Sequence, residues 1–187
     1  MQKLAKFITY LFFPGTMAIL GFVLLQESWT FLISHFLLLA FLPVTSLFYL
    51  KHLGVIADLN IFNRAERAIP LLITIAFAGA DLVILTEYDW LQAWQWTYLG
   101  VSVLALFVTV SGIKISLHGL GVGSFFALAA LNLAFLDNFF WFAAATLLLA
   151  AVYWARRKLQ AHSHFELILG VSYAFVLTFV MFYIHGL

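Results

Sequence analysis

Much of this chain is a succession of predominantly apolar runs close to the ~20 residues an α-helix needs to cross the hydrocarbon of a bilayer. Seven can be marked out, at residues 7–25, 29–50, 69–85, 97–113, 119–136, 139–154 and 167–184. Backbone N–H and C=O groups in hydrocarbon must be satisfied within the segment itself, so such runs form helices. With 65% of 187 residues hydrophobic, a soluble globule of this size could not hide the apolar surface. The expectation is an all-α integral membrane protein: one transmembrane domain over residues 1–187, a polytopic bundle of about seven helices with six or seven spans. Pro14-Gly15 predicts a kink near the start of the first run, and Pro70 stands at an early helical position where proline is tolerated. Met1–Lys6 resembles the start of a signal peptide, but no small-residue cleavage site follows, so a retained first span is expected.

Several function classes fall away at once. There is no cysteine, hence no disulfide, no thiolate chemistry and no thiolate metal site. A net charge of +1 without a basic stripe excludes nucleic acid as a partner. No internal repeat, linker or low-complexity segment divides the chain, and nothing in it specifies an oligomer.

Alternating the seven runs across a membrane sorts the connections into two groups. Residues 1–6, 51–67, 114–118 and 155–166 fall at one end and carry all nine Lys and Arg residues. The other end holds Glu27, Glu87, Asp89 and Asp137, with an aromatic belt expected from Trp90 to Trp96. The positive-inside tendency makes the basic end cytoplasmic.

Three polar stretches therefore meet at one end, and ionisable groups so placed are functional candidates. Residues 155–166 read Ala-Arg-Arg-Lys-Leu-Gln-Ala-His-Ser-His-Phe-Glu. If this run opens a helix, His162 and Glu166 share a face, and a carboxylate on one ring nitrogen leaves the other free as base or nucleophile. Arg156 is a natural phosphate partner. The competing reading is plain anchoring, in which basic residues simply hold a helix end at the membrane surface. Lys114, Ser116 and His118 precede Gly119, Gly121 and Gly123. A helix starting there would offer unpaired amides to an anion, or the glycines would serve close helix packing.

These stretches resemble the three signature motifs of the type 2 phosphatidic acid phosphatase superfamily, whose fold is shared with bacterial acid phosphatases and haloperoxidases. The third motif is Ser-Arg, five residues, His, three residues, Asp; here Ala155-Arg156, His162 and Glu166 keep its spacing. The second, Pro-Ser-Gly-His, is similar to Ile115-Ser116-Leu117-His118. The first, Lys, six residues, Arg-Pro, is echoed by Arg64 to Pro70. The match covers all three motifs, their order and their membrane face, and it resembles the short membrane-embedded bacterial members.

The resemblance implies a phosphatase acting on a phospholipid or isoprenoid phosphate or diphosphate through a phosphohistidine, with no metal or other cofactor. His162 would attack phosphorus, Glu166 would fix its tautomer, and His118 would protonate the leaving alkoxide and then activate water. Arg156, Arg67, Lys114 and Arg64 would neutralise the equatorial oxygens, with Ser116 and the Gly119 amide completing the cradle. His164 is expected to point away. The residues depart from the family at Leu117, Ala155 and the first motif, which leaves room for a relative that binds a lipid headgroup without cleaving it. A histidine-ligated metal or haem is disfavoured by the surrounding cations, and an intramembrane prenyltransferase by the lack of an aspartate-rich cluster.

Overall fold

A computed structural model describes residues 1–25, 28–59, 61, 63–83, 89–136 and 138–186, with helix as the only regular structure among them. In chain order these are α1 (Gln2–Leu11), α2 (Pro14–Leu24), α3 (Trp29–Phe36), α4 (Leu42–His52), α5 (Ala68–Asp81), α6 (Asp89–Val110), α7 (Leu117–Leu136), α8 (Phe139–Lys158) and α9 (His164–Ile184). A π-helical turn, Leu37–Phe41, joins α3 to α4, and a 3-10 turn, Arg64–Arg67, leads into α5.

Among the described residues, five helices are long and apolar enough to cross a membrane: Phe31–His52, Asp89–Val110, Leu117–Ala134, Phe139–Lys158 and His164–Ile184. The pair α1 and α2 would make a sixth if counted as one span, but its halves are bent by 56°. The reason is local. Pro14 sits at the first helical position of α2, where it has no N–H to continue the helix before it, and Phe13 is extended with ψ 165°. The expected kink within one span is therefore a break between two helices. α5 has 14 residues, about 21 Å of helix, which is short of the ~30 Å hydrocarbon core. The third expected run, 69–85, extended to residue 85, and residues 84–88 lie outside the described residues.

α7 is the central helix. Of its spanning window 67% is buried, against 22–44% for the other four. It packs along α9 at backbone distance, because a Cβ at Gly123 would stand 2.6 Å from the Val171 carbonyl oxygen. The glycines after His118 thus serve close packing, the second of the two readings offered for them. Met17, Phe22, Trp94, Phe125 and Phe182 form the heart of the core. Trp94 was expected in a headgroup-level belt. Instead it is 1% exposed, and its indole N–H donates to the Ala18 carbonyl at 2.8 Å. A buried Trp needs such a partner, and α2 supplies it.

The chain direction brings the end of α4, the start of α5, the end of α6, the start of α7, the end of α8 and the start of α9 to one end of the bundle. Contacts across the connections, given below, tie them together there.

Candidate functional site

α8 runs four residues beyond the expected span, to Lys158, so Arg156, Arg157 and Lys158 occupy its last turn, where cations suit the negative end of the helix dipole. Residues 155–166 form a helix end, a turn and a helix start, so the run opens a helix only from His164. Gln160 turns the chain with φ 51°, and Ser163 caps α9 by accepting from the Glu166 amide at 3.2 Å. Ser-x-x-Glu is the sequence signature of such a start. His162 lies just before the cap. From there its Nδ1 meets Glu166 Oε2 at 2.7 Å, so the expected pairing is present although the helix beneath it is not continuous.

That bond settles the chemistry of the ring. A carboxylate only accepts, so Nδ1 carries the proton and Nε2 keeps its lone pair. The loop is held on both sides: Arg157 donates to the His162 carbonyl at 2.8 Å, and Lys114 donates to the Ala161 carbonyl at 3.1 Å. Lys114 also lies 3.6 Å from Glu166 Oε2. His162 is 4% exposed, and burial is the largest influence on its protonation. The Glu166 bond opposes that influence, and the Arg156, Arg67 and Lys114 charges add to it. The net effect pushes the ring down to about 4, leaving it neutral at neutral pH.

α7 supplies His118 in its first turn. Its Nε2 is 3.0 Å from the Thr9 carbonyl of α1, and since a carbonyl can only accept, Nε2 carries the proton. Arg67 ends the 3-10 turn. Its Nε donates to the Ile61 carbonyl at 2.9 Å and a terminal nitrogen donates to the Ile115 carbonyl at 3.3 Å. Ile61 is a β-branched residue held at φ 46°, a conformation that costs about 1–3 kcal/mol and persists only where its surroundings enforce it. Burial pushes the Arg67 guanidinium below its ordinary value, against the pull of Glu166, but arginine starts so high that it stays a cation.

Arg67, His118, Arg156 and His162 line a single cavity of about 510 Å³. The rest of its wall is largely apolar: Phe13 and Pro14 from the α1–α2 elbow, Val44, Leu47 and Phe48 from α4, and Leu117. A second, narrower apolar cavity of about 130 Å³ shares Arg67, Pro14 and Leu47, and runs between α2, α4, α5, α6 and α7 past Tyr98 and Val101. The arrangement pairs a polar end holding two histidines and two guanidinium groups with an apolar length.

The other expected site residues fall into place around this cavity. Glu166 and Lys114 stand behind His162 and do not line it. Ser116 is fully buried, and its hydroxyl accepts from the Gly119 amide at 3.1 Å. Ser116 therefore caps α7, and the Gly119 amide is turned inward. Arg64 opens the 3-10 turn, and its side chain lies outside the described residues. His164 points away, as expected, to the Tyr153 hydroxyl. Thr9 and Tyr10 of α1 were not singled out by sequence, yet both line the cavity. Their signal is that Gln2, Lys6, Thr9 and Tyr10 share one helical face.

The described residues hold no group of three or more His, Asp or Glu placed to bind a metal ion. No protein-family model, no curated protein and no solved structure matches the chain.

Proposed function

We propose that this chain is an integral membrane phosphatase that hydrolyses the phosphate or diphosphate monoester of a lipid, with the helical arrangement of the phosphatidic acid phosphatase and haloperoxidase type. The observation that carries this reading is His162: tautomer fixed by Glu166, Nε2 unprotonated, in a cavity shared with His118 and two guanidinium groups. A binding site for a lipid phosphate needs the cations. It does not need an oriented, neutral imidazole.

In the first step His162 Nε2 would form a bond to phosphorus while the bond to the lipid oxygen breaks. His118, as the imidazolium with its Nε2–H held by the Thr9 carbonyl, would pass its Nδ1 proton to the leaving alkoxide and be left neutral. Arg67 and Arg156 would stabilise the charge on the phosphoryl oxygens. Glu166 would stabilise the positive phosphohistidine, with Lys114 holding the carboxylate in place. In the second step His118 would take a proton from water, the water oxygen would bond to phosphorus, and the N–P bond would break to free inorganic phosphate and neutral His162.

The apolar wall between the α1–α2 elbow and α4 suits the lipid tail, whether of a phospholipid or an isoprenoid phosphate. The charge bias supports a cytoplasmic site, and the resemblance to short bacterial members supports a bacterial inner membrane. The test is phosphate release by purified protein in detergent with EDTA, across a panel of such lipids. Turnover that persists in EDTA and is lost in His162→Ala is expected. Binding of lipid phosphates without release would transfer the same residues to a non-hydrolytic lipid-binding role.

A further inference from the structure

A third cavity, of about 580 Å³, lies on the other side of Arg156. Unlike the two apolar cavities it is polar. Lys6, Lys158 and Arg156 supply three positive charges to its wall, and Asp58 supplies one negative. Gln2 and Gln160 complete the polar rim. Lys6 and Lys158 are exposed, so this cavity faces water, whereas Arg156 is only 3% exposed.

Arg156, Thr9 and Tyr10 line both this cavity and the one holding His162 and His118, so they form the partition between them. The Nε–H of Arg156 is buried and has no hydrogen-bond partner among the described residues. A buried donor on a charged group left without a partner is destabilising, and an anionic acceptor would relieve it. A charged side chain so deeply buried, shared by two cavities and short of an acceptor, marks the partition as a place where an anion is held, and Lys6 and Lys158 carry that positive charge on to the water side.

We infer that this cationic cavity is a second phosphate-binding site, through which inorganic phosphate leaves the site for water while the lipid product returns to the bilayer. The inference rests on the proposed phosphatase reading and adds the fate of its product. It follows from the chemistry of the two products. The dephosphorylated lipid is apolar and matches the wall formed by Phe13, Val44 and Phe48. Phosphate is a doubly charged anion that cannot leave along that wall, and Arg156 offers a handover between the two cavities.

The test is equilibrium binding of radiolabelled inorganic phosphate to the full-length protein in detergent, which needs no turnover. Two phosphates per chain are expected, one displaced by a short-chain lipid phosphate and one not. In Lys6→Gln/Lys158→Gln the site that the lipid cannot displace should weaken at least about tenfold, and the other should not change. Both lysines are exposed, and Lys3→Gln/Lys51→Gln, which removes the same charge elsewhere at the basic end, should leave both sites intact. Unchanged binding in the Lys6/Lys158 variant overturns the second site, as does a wild-type protein that binds one phosphate only. Displacement of both phosphates by lipid overturns it too, since the cavity would then hold headgroups. None of these three outcomes touches the hydrolase reading, which fails separately if lipid phosphate displaces neither anion.

Discussion

Among the described residues, two histidine–carboxylate pairs share the same Nδ1–oxygen distance. His162 Nδ1 lies 2.7 Å from Glu166, and His35 Nδ1 lies 2.7 Å from Asp81. Their surroundings are opposites. His35 and Asp81 are 0% and 1% exposed in the interior of the bundle, and neither lines a cavity described above. Phe22 stacks flat on the His35 ring at 3.9 Å and 2°, Gln95 donates to Asp81, and His35 Nε2 has no partner among the described residues. His162 instead lines a cavity together with Arg67, Arg156 and His118. A dyad distance alone therefore says nothing of chemistry. What decides is the space before the second nitrogen and the charge around that space. The inner pair ties α3 to α5 and, through Gln95, to α6; its role is to hold helices together.

The contrast breaks most directly by truncating each histidine. His162→Ala should lower turnover by at least ~10⁴-fold, because no neighbouring group replaces a covalent nucleophile. His35→Ala should leave turnover within about threefold per folded molecule. It should instead cost about 3–5 kcal/mol in detergent unfolding, by leaving the buried Asp81 carboxylate with Gln95 but without its histidine. Loss of chemistry from His35→Ala at full stability would erase the distinction.

The next effect concerns the partner in acid–base work. His118→Ala should slow hydrolysis by about 10²–10⁴-fold, and by less on substrates whose leaving group needs no proton. Steady-state rates on an alkyl and an aryl phosphate separate these cases. Equal losses on both would remove His118 from the proton path.

That three polar stretches converge was legible in the sequence, for a physical reason. Charged groups cannot rest in hydrocarbon, so alternating spans leave only two ends where they can sit. The His162–Glu166 pairing was legible from spacing, although the turn at Gln160 that achieves it was not. What stayed hidden depends on contacts between segments far apart in the chain. Thr9 reaches the site because a proline break folds α1 back against α8, and nothing within residues 2–11 announces that packing. Ser116 and the Gly119 amide were expected in a phosphate cradle, but the Gly119 N–H points to the Ser116 hydroxyl and makes them a helix cap. Trp94 reads as an interfacial residue by composition, but the Ala18 carbonyl draws its indole into the core. His35 and Asp81 are 46 residues apart, with no motif to link them.

Smaller effects sharpen the outer pair. Glu166→Gln should lower kcat by roughly 10–100-fold, because an amide can orient His162 but cannot stabilise its charged form. Glu166→Asp keeps the charge and sacrifices reach across the 2.7 Å contact, so its kcat should fall between the two. An aspartate variant no better than glutamine would show that position, not charge, is what Glu166 provides.

The smallest effect is one of pH. In the proposed mechanism neutral His162 is the reactive form, and its protonation is pushed down to about 4 by burial and by the neighbouring cations. Activity should therefore not decline as pH falls through the ordinary histidine range near 6.5, and the acid limb of kcat/KM should appear nearer 4. Arg156→Gln removes one of the positive charges, so protonation becomes easier and the acid limb should move upward. A limb that stays in place, or moves down, would mean that another group controls it.

The central claim is that His162 carries the phosphoryl group. Its most direct test is to incubate the protein with a lipid bearing a radiolabelled phosphate, quench it in base and count label on the protein. The account predicts a base-stable, acid-labile label, present in the wild-type chain and absent from His162→Ala. Label retained in His162→Ala, or steady phosphate release with no label even in His118→Ala, where the second step should stall, would contradict it.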